Sequence, residues 1–147
     1  MLKVSIAVVS AALLMTGLSL AGDDKKDQAA FQGKWQVESI KSGDGKEPPK
    51  EALADLIVVI KGDEMKLTVK DSTVQTFKVK LDSTKKPKAI DFEHVDGPDK
   101  GKTEQGIYKL EGEKLTIVTN DFEGGRPTEF VAKEGSKHQL IVLKKTK

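Results

Sequence analysis

Cysteine is absent from the 147-residue chain, which excludes a disulfide framework, thiol nucleophiles and thiolate metal sites at once. A fold without cross-links has to rest on its hydrophobic core. Arginine is nearly absent too. Of the 25 basic residues only Arg126 carries a guanidinium, the group that most often reads bases and phosphates. Basic residues number 25 against 23 acidic ones, for a formal net charge of +2, so neither nucleic acid nor an anionic membrane surface is implied as a partner. Aromatic residues are 5% of the chain, too few to announce a large aromatic-lined pocket. No G-x-S-x-G elbow is present, and sequence places no serine beside either histidine, so nucleophilic catalysis has little support. No cofactor motif occurs.

Long apolar runs are also lacking, with one exception. Lys3 precedes the run Val4 to Leu14, which fades into Ser19-Leu20-Ala21 and then the charged stretch Asp23 to Asp27. Small residues at Ser19 and Ala21 occupy the positions a signal peptidase reads, so residues 1–21 read as a cleaved secretory signal peptide. The run is shorter than the roughly 20 residues a bilayer-spanning helix needs. With no cysteine to carry a lipid, no stable membrane anchor is expected after cleavage. The expected localisation is export, to the periplasm or the cell exterior. Residues 22–30 read as a charged flexible leader, with a short helical turn over Ala29 to Gln32. Residues 31–147 have the size of one domain.

Within that domain, apolar and polar residues alternate with period two. Trp35, Val37 and Ser39 face one way and Lys34, Gln36 and Glu38 the other, the mark of a half-buried strand. Pro48-Pro49 then leads into a short helix over Lys50 to Asp55. Leu56 to Ile60 and Met65 to Val69 form a hairpin about Lys61-Gly62-Asp63. Further strands follow at Thr76 to Leu81, at Ile90 to Glu93, from Tyr108 to Leu110 and at Leu115 to Thr119. Two more are expected at Thr128 to Lys133 and Gln139 to Lys144. Eight or nine short strands in sequential hairpins, with one short helix, predict an all-β, antiparallel up-and-down barrel. Closure would remove the exposed edges that template aggregation.

Gly33-Lys34-Trp35 resembles the G-x-W that opens lipocalins and related small barrels. A longer resemblance covers nearly all of Phe31 to Lys147: FQGKWQVESI at Phe31 to Ile40, VIKGDEM at Val59 to Met65, STKKPKAIDF at Ser83 to Phe92, DGPDKGKTEQGIYKLEGEKL at Asp96 to Leu115, and GGRPTEF at Gly124 to Phe130. These stretches are similar to an uncharacterised exported, lipocalin-like domain family best known from planctomycete bacteria. The resemblance implies the barrel fold and an envelope setting, and brings no activity with it.

Few residues invite chemistry. His94 follows Ile90 and Phe92 at period two and would share their inward face. Its nearby carboxylates, Asp91, Glu93, Asp96 and Asp99, suggest a metal or acid–base site. The same alternation turns Asp91 and Glu93 to the opposite face, so His94 reads as a strand-end histidine near the barrel rim, and His138 lies in a distant predicted turn. A cleft bringing His94 within reach of a carboxylate would strengthen an enzymatic reading. The loop Asp96 to Gly101 has two carboxylates among glycines, but lacks the dense ligand series of a calcium loop and reads as a surface turn. Arg126 offers two readings: a cation–π contact with Trp35, as a late-strand arginine can make in lipocalin-type barrels, or a fork for a ligand carboxylate.

The expected protein is a non-catalytic exported barrel without cofactor or metal. A small, partly apolar ligand would have Trp35, Phe77, Phe92, His94, Tyr108 and Arg126 as candidate contacts, since about eight strands are just wide enough for one. The alternative is a barrel filled by its own side chains that presents its charged, glycine-rich loops to an envelope protein. A hydrolytic enzyme is the remaining expectation.

Overall fold

The alternation beginning at Lys34 becomes strand β1 (Gly33–Ser42) in the computed structural model, which describes residues 24–146. The expected signal peptide, residues 1–21, lies outside the described residues. Seven more strands follow: β2 (Leu56–Lys61), β3 (Glu64–Val69), β4 (Ser72–Asp82), β5 (Ala89–His94), β6 (Thr103–Glu111), β7 (Lys114–Thr119) and β8 (Gln139–Lys145). Each pairs antiparallel with its neighbours in sequence, and β8 returns to β1 with Trp35 opposite Lys145 and Val37 opposite Leu143. The result is a closed eight-stranded up-and-down barrel, as the hairpin pattern predicts.

Tight turns fix the register. Gly62 (φ 64°) and Gly112 (φ 60°) supply left-handed backbone at the β2–β3 and β6–β7 turns, where a residue with a Cβ would be strained. Lys70 (φ 50°) and Asp71 (φ 67°) adopt the same region side by side between β3 and β4. Two successive positive φ values match the right-handed twist of the flanking strands.

Among the described residues two helices accompany the barrel. Helix α2 (Lys50–Ala54) stands where the proline pair leads into good helix formers, with Leu53 buried. The Gln36 side chain pins it by donating to the Leu53 and Leu56 carbonyls at 2.6 and 3.2 Å. Helix α1 (24–31) corrects the expectation of a flexible leader, since the expected turn at Ala29 is the end of a longer helix. Asp24, Asp27 and Phe31 recur on one face of it and tie it across one end of the barrel. Asp24 accepts from the Ser83 backbone N–H at 2.7 Å and from its hydroxyl, Asp27 accepts from the Tyr108 hydroxyl at 2.6 Å, and Phe31 stacks edge-on against Tyr108 at 5.2 Å. Charged residues that look like a solvated leader are the anchors.

The strand expected at Thr128 to Lys133 is absent. With β8 already paired to both β7 and β1, the closed sheet has no edge left for a ninth strand. Residues 120–138 instead run over the outer face of β5 to β7. Ile107 and Val118, paired across β6 and β7 and pointing away from the barrel axis, are fully buried there. Phe130 sits under the Lys109 ammonium, 5.0 Å from its ring centroid.

Candidate functional site

The interior divides into a filled half and an open half. At the end closed by α1, Phe31, Trp35, Ile90, Tyr108, Leu115 and Leu143 pack with almost no exposure. Trp35 satisfies its indole N–H by donating to the Phe31 carbonyl at 2.8 Å, as a buried tryptophan must. At the opposite end the inward residues Ile40, Leu56, Leu67, Phe77 and Ile141 are only partly buried. They surround a cavity of about 230 Å³ whose floor includes Val37, Val58, Phe92, Ile117 and Leu143. The reason is in the sequence. Trp35, Tyr108 and Phe31 fill the space near α1, while at the other end Phe77 and Phe92 share the wall with aliphatic and polar residues that do not span the lumen.

Polar groups enter the cavity wall at Glu104, Thr119 and Gln139. The register brings them together: Gly106 pairs with Thr119 and Thr119 with Gln139, and Glu104 stands two residues before Gly106 on the same inward face. Three successive strands thus each contribute one polar residue near the rim. Glu104 is the only ionisable side chain among the lining residues. Burial raises its carboxyl above the ordinary value of 4.5; the charge of His94 opposes this and that of Asp99 adds to it.

His94 is buried at the rim. Its Nε2 lies 3.5 Å from Glu104 Oε1 without the alignment of a hydrogen bond, so this buried nitrogen has no hydrogen-bond partner among the described residues. Its Nδ1 is 3.4 Å from the Gln75 side-chain amide. The ring is held edge-on by Phe77 and Phe122, with centroids at 4.8 and 5.1 Å. The carboxylates adjacent in sequence are engaged elsewhere. Asp96 accepts from the Gln75 amide and the Thr76 N–H at 2.9 and 3.2 Å, and Asp99 meets Lys102 at 3.3 Å. Among the described residues no group of three or more His, Cys, Asp or Glu side chains is gathered as a metal site would need.

Of the six ligand-contact candidates, Phe77 and Phe92 line the cavity, and His94 reaches it through Phe77 and Glu104. Trp35 and Tyr108 belong to the filled half, because α1 closes that end over them. Arg126 lies outside the wall. Its Nη1 donates to the Gly106 and Ile90 carbonyls at 2.8 and 3.3 Å, and its Nη2 is 2.9 Å from Asp91. The cation over Trp35 is Lys145, with Nζ 5.3 Å from the ring centroid. Glu104 is the site residue that the sequence reading passes over. Counting back by two from Tyr108 along β6 gives Gly106 and Glu104 inward, but only the β5–β6 register, with Phe92 opposite Glu104, places it near His94.

Other hollows are less suited to an apolar guest. One of about 210 Å³ beside α1 mixes Phe31, Ile60, Val79 and Leu81 with Asp24, Gln28 and Lys80, and one of about 420 Å³ on the outer face lies among Asp63, Lys78, Lys80, Asp91 and Glu93. Ligand sites are concave and mainly apolar with a few placed polar groups, which describes the barrel cavity.

Fold and cavity together define a small lipocalin-like up-and-down β-barrel, sealed at one end by a helix and hollow at the other. No protein-family model, curated protein or solved structure matches the chain.

Proposed function

We propose that this protein is an exported, non-catalytic barrel of the lipocalin-like family best known from planctomycetes, and that it binds a small, partly apolar molecule in the open half of its lumen. The observation that carries the proposal is the unfilled end: five inward aliphatic and aromatic residues left partly exposed around about 230 Å³. A side-chain-filled barrel would bury them, since each fully buried residue of this kind contributes about 1.5 to 3 kcal/mol. An apolar cavity of about 150 Å³ holds a benzene, so this one suits a guest of about nine non-hydrogen atoms.

Hydrolysis is the second reading, favoured by the approach of His94 to Glu104. A general base needs a ring nitrogen within reach of substrate. Here one nitrogen faces Glu104 and the other Gln75, both at buried or part-buried positions, which weights the reading toward binding. The loop-presenting alternative has less behind it, because two of its loops are tied to the barrel: Asp96 to Gln75 and Thr76, and Arg126 to β5 and β6.

Native mass spectrometry of the protein purified gently from its own envelope fraction tests the proposal. The expected spectrum shows a reproducible added mass that is lost on denaturation, on a chain beginning at Gly22. A bare mass, in protein never exposed to detergent or denaturant, contradicts binding, and a chain that retains residues 1–21 contradicts processing by a signal peptidase.

A further inference from the structure

The cavity wall is two-sided. One arc is apolar, formed by Ile40, Leu56, Leu67 and Phe77 on β1 to β4. The other carries Glu104, Thr119 and Gln139 on β6 to β8. Among the described residues no lysine or arginine lines it. The one ionisable group in its lining among the described residues is the Glu104 carboxyl, and the His94 imidazole approaches it at 3.5 Å without an aligned hydrogen bond. A carboxylate in apolar surroundings is costly unless it is paired and hydrogen-bonded.

Resting on the binding function proposed above, we infer that the cavity selects a primary amine on an apolar body, with the ammonium seated at Glu104. An ammonium has three donors and no acceptor. Glu104 supplies the opposite charge, and the Thr119 hydroxyl and Gln139 carbonyl supply neutral acceptors on the adjoining strands. A carboxylate guest would meet Glu104 as a like charge, and a plain hydrocarbon would leave the polar arc desolvated without a partner. The body of the ligand lies against Phe77 and the aliphatic arc.

Calorimetric titration of the purified protein with 2-phenylethylamine, 2-phenylethanol and propylbenzene tests this, because the three have the same number of non-hydrogen atoms and differ only at the head. The amine is expected to bind about tenfold or more tightly than the other two, the ordinary worth of a hydrogen bond to a charged group. Glu104→Gln is expected to remove that preference, bringing the amine to within about twofold of the alcohol. Equal binding of amine and alcohol to the wild-type protein, or an amine preference that survives Glu104→Gln, overturns the inference while the cavity reading stands. Binding of none of the three overturns both. The wild-type ranking decides even if the variant does not fold, and Glu104→Met gives a second substitution of similar length.

Discussion

Lys145, near the end of β8, stands over the Trp35 ring with its ammonium 5.3 Å from the centroid, and the same ammonium donates to the Ala30 carbonyl at 2.9 Å. One side chain therefore joins the last strand, the first strand and the C-terminal turn of α1. A cation at a helix C-terminus also complements the partial negative charge of the exposed carbonyls there. Lys145→Met keeps the apolar stem and removes the charge. It is expected to cost about 2 kcal/mol or more in urea unfolding, the low end of the sum of a partly buried cation–π contact and a charged hydrogen bond, with Lys145→Arg losing less.

Tyr108 ties the same closed end from the other side, and it is the only tyrosine in the chain. Burial first, and the facing Asp27 carboxylate second, push its ionisation far above the ordinary 10.0. In the unfolded chain the phenol ionises near its ordinary value. The stability due to the buried neutral phenol is therefore complete below pH 10 and falls as the pH rises above it. Ultraviolet titration is expected to show no tyrosinate until the barrel unfolds, in one step with loss of its circular dichroism. Tyrosinate appearing near pH 10 in folded protein would contradict the Asp27–Tyr108 bond. Tyr108→Phe is expected to cost about 1 to 3 kcal/mol, the penalty for removing one partner of a buried pair.

Arg126 holds the 120–138 connection against β5 and β6 through two carbonyls and Asp91. Arg126→Met should leave the barrel folded and raise amide exchange and proteolysis within residues 120–138. Ligand affinity is expected to stay within about twofold, because substitutions that touch no binding contact shift free energy by only about 0.5 kcal/mol. A collapse of affinity would instead place Arg126 at the ligand.

Glu104 makes stability depend on pH with the opposite sign to a paired surface carboxylate. Its carboxyl is raised above 4.5 by burial, so the folded state holds the extra proton between the unfolded and folded values. The neutral form's contribution is present below 4.5 and is lost as the pH rises through the folded value. Glu104→Gln removes this loss. The stability of the variant relative to wild type, from urea unfolding, should therefore become more favourable as the pH rises from below 4.5 through the raised folded value. A relative stability that falls over this range would mean that His94 lowers the carboxyl below its ordinary value.

The strands were legible because one face of each is buried, which writes period two into residues such as Trp35 and Val37 or Met65 and Leu67. Elements without that signature were not. Helix α1 is built from Asp24, Lys25, Lys26, Asp27 and Gln28, so its fixed position depends on partners 50 or more residues away, at Ser83, Lys88 and Tyr108. Thr128 to Lys133 has the composition of a strand, yet follows Gly124-Gly125 and Pro127 and finds no open edge. At the site, Phe77 and Phe92 could be read as inward from local alternation. The meeting of Glu104 with His94 is a cross-strand fact, and no spacing within one strand discloses it.

The most direct test of the half-open barrel is methyl NMR during titration with propylbenzene. Shifts are expected at Ile40, Leu56, Leu67, Ile117 and Ile141, which face the cavity, while Ile90, Ile107 and Leu115, fully buried elsewhere, stay still. No shift at saturating propylbenzene, or shifts confined to residues outside the cavity, would contradict it.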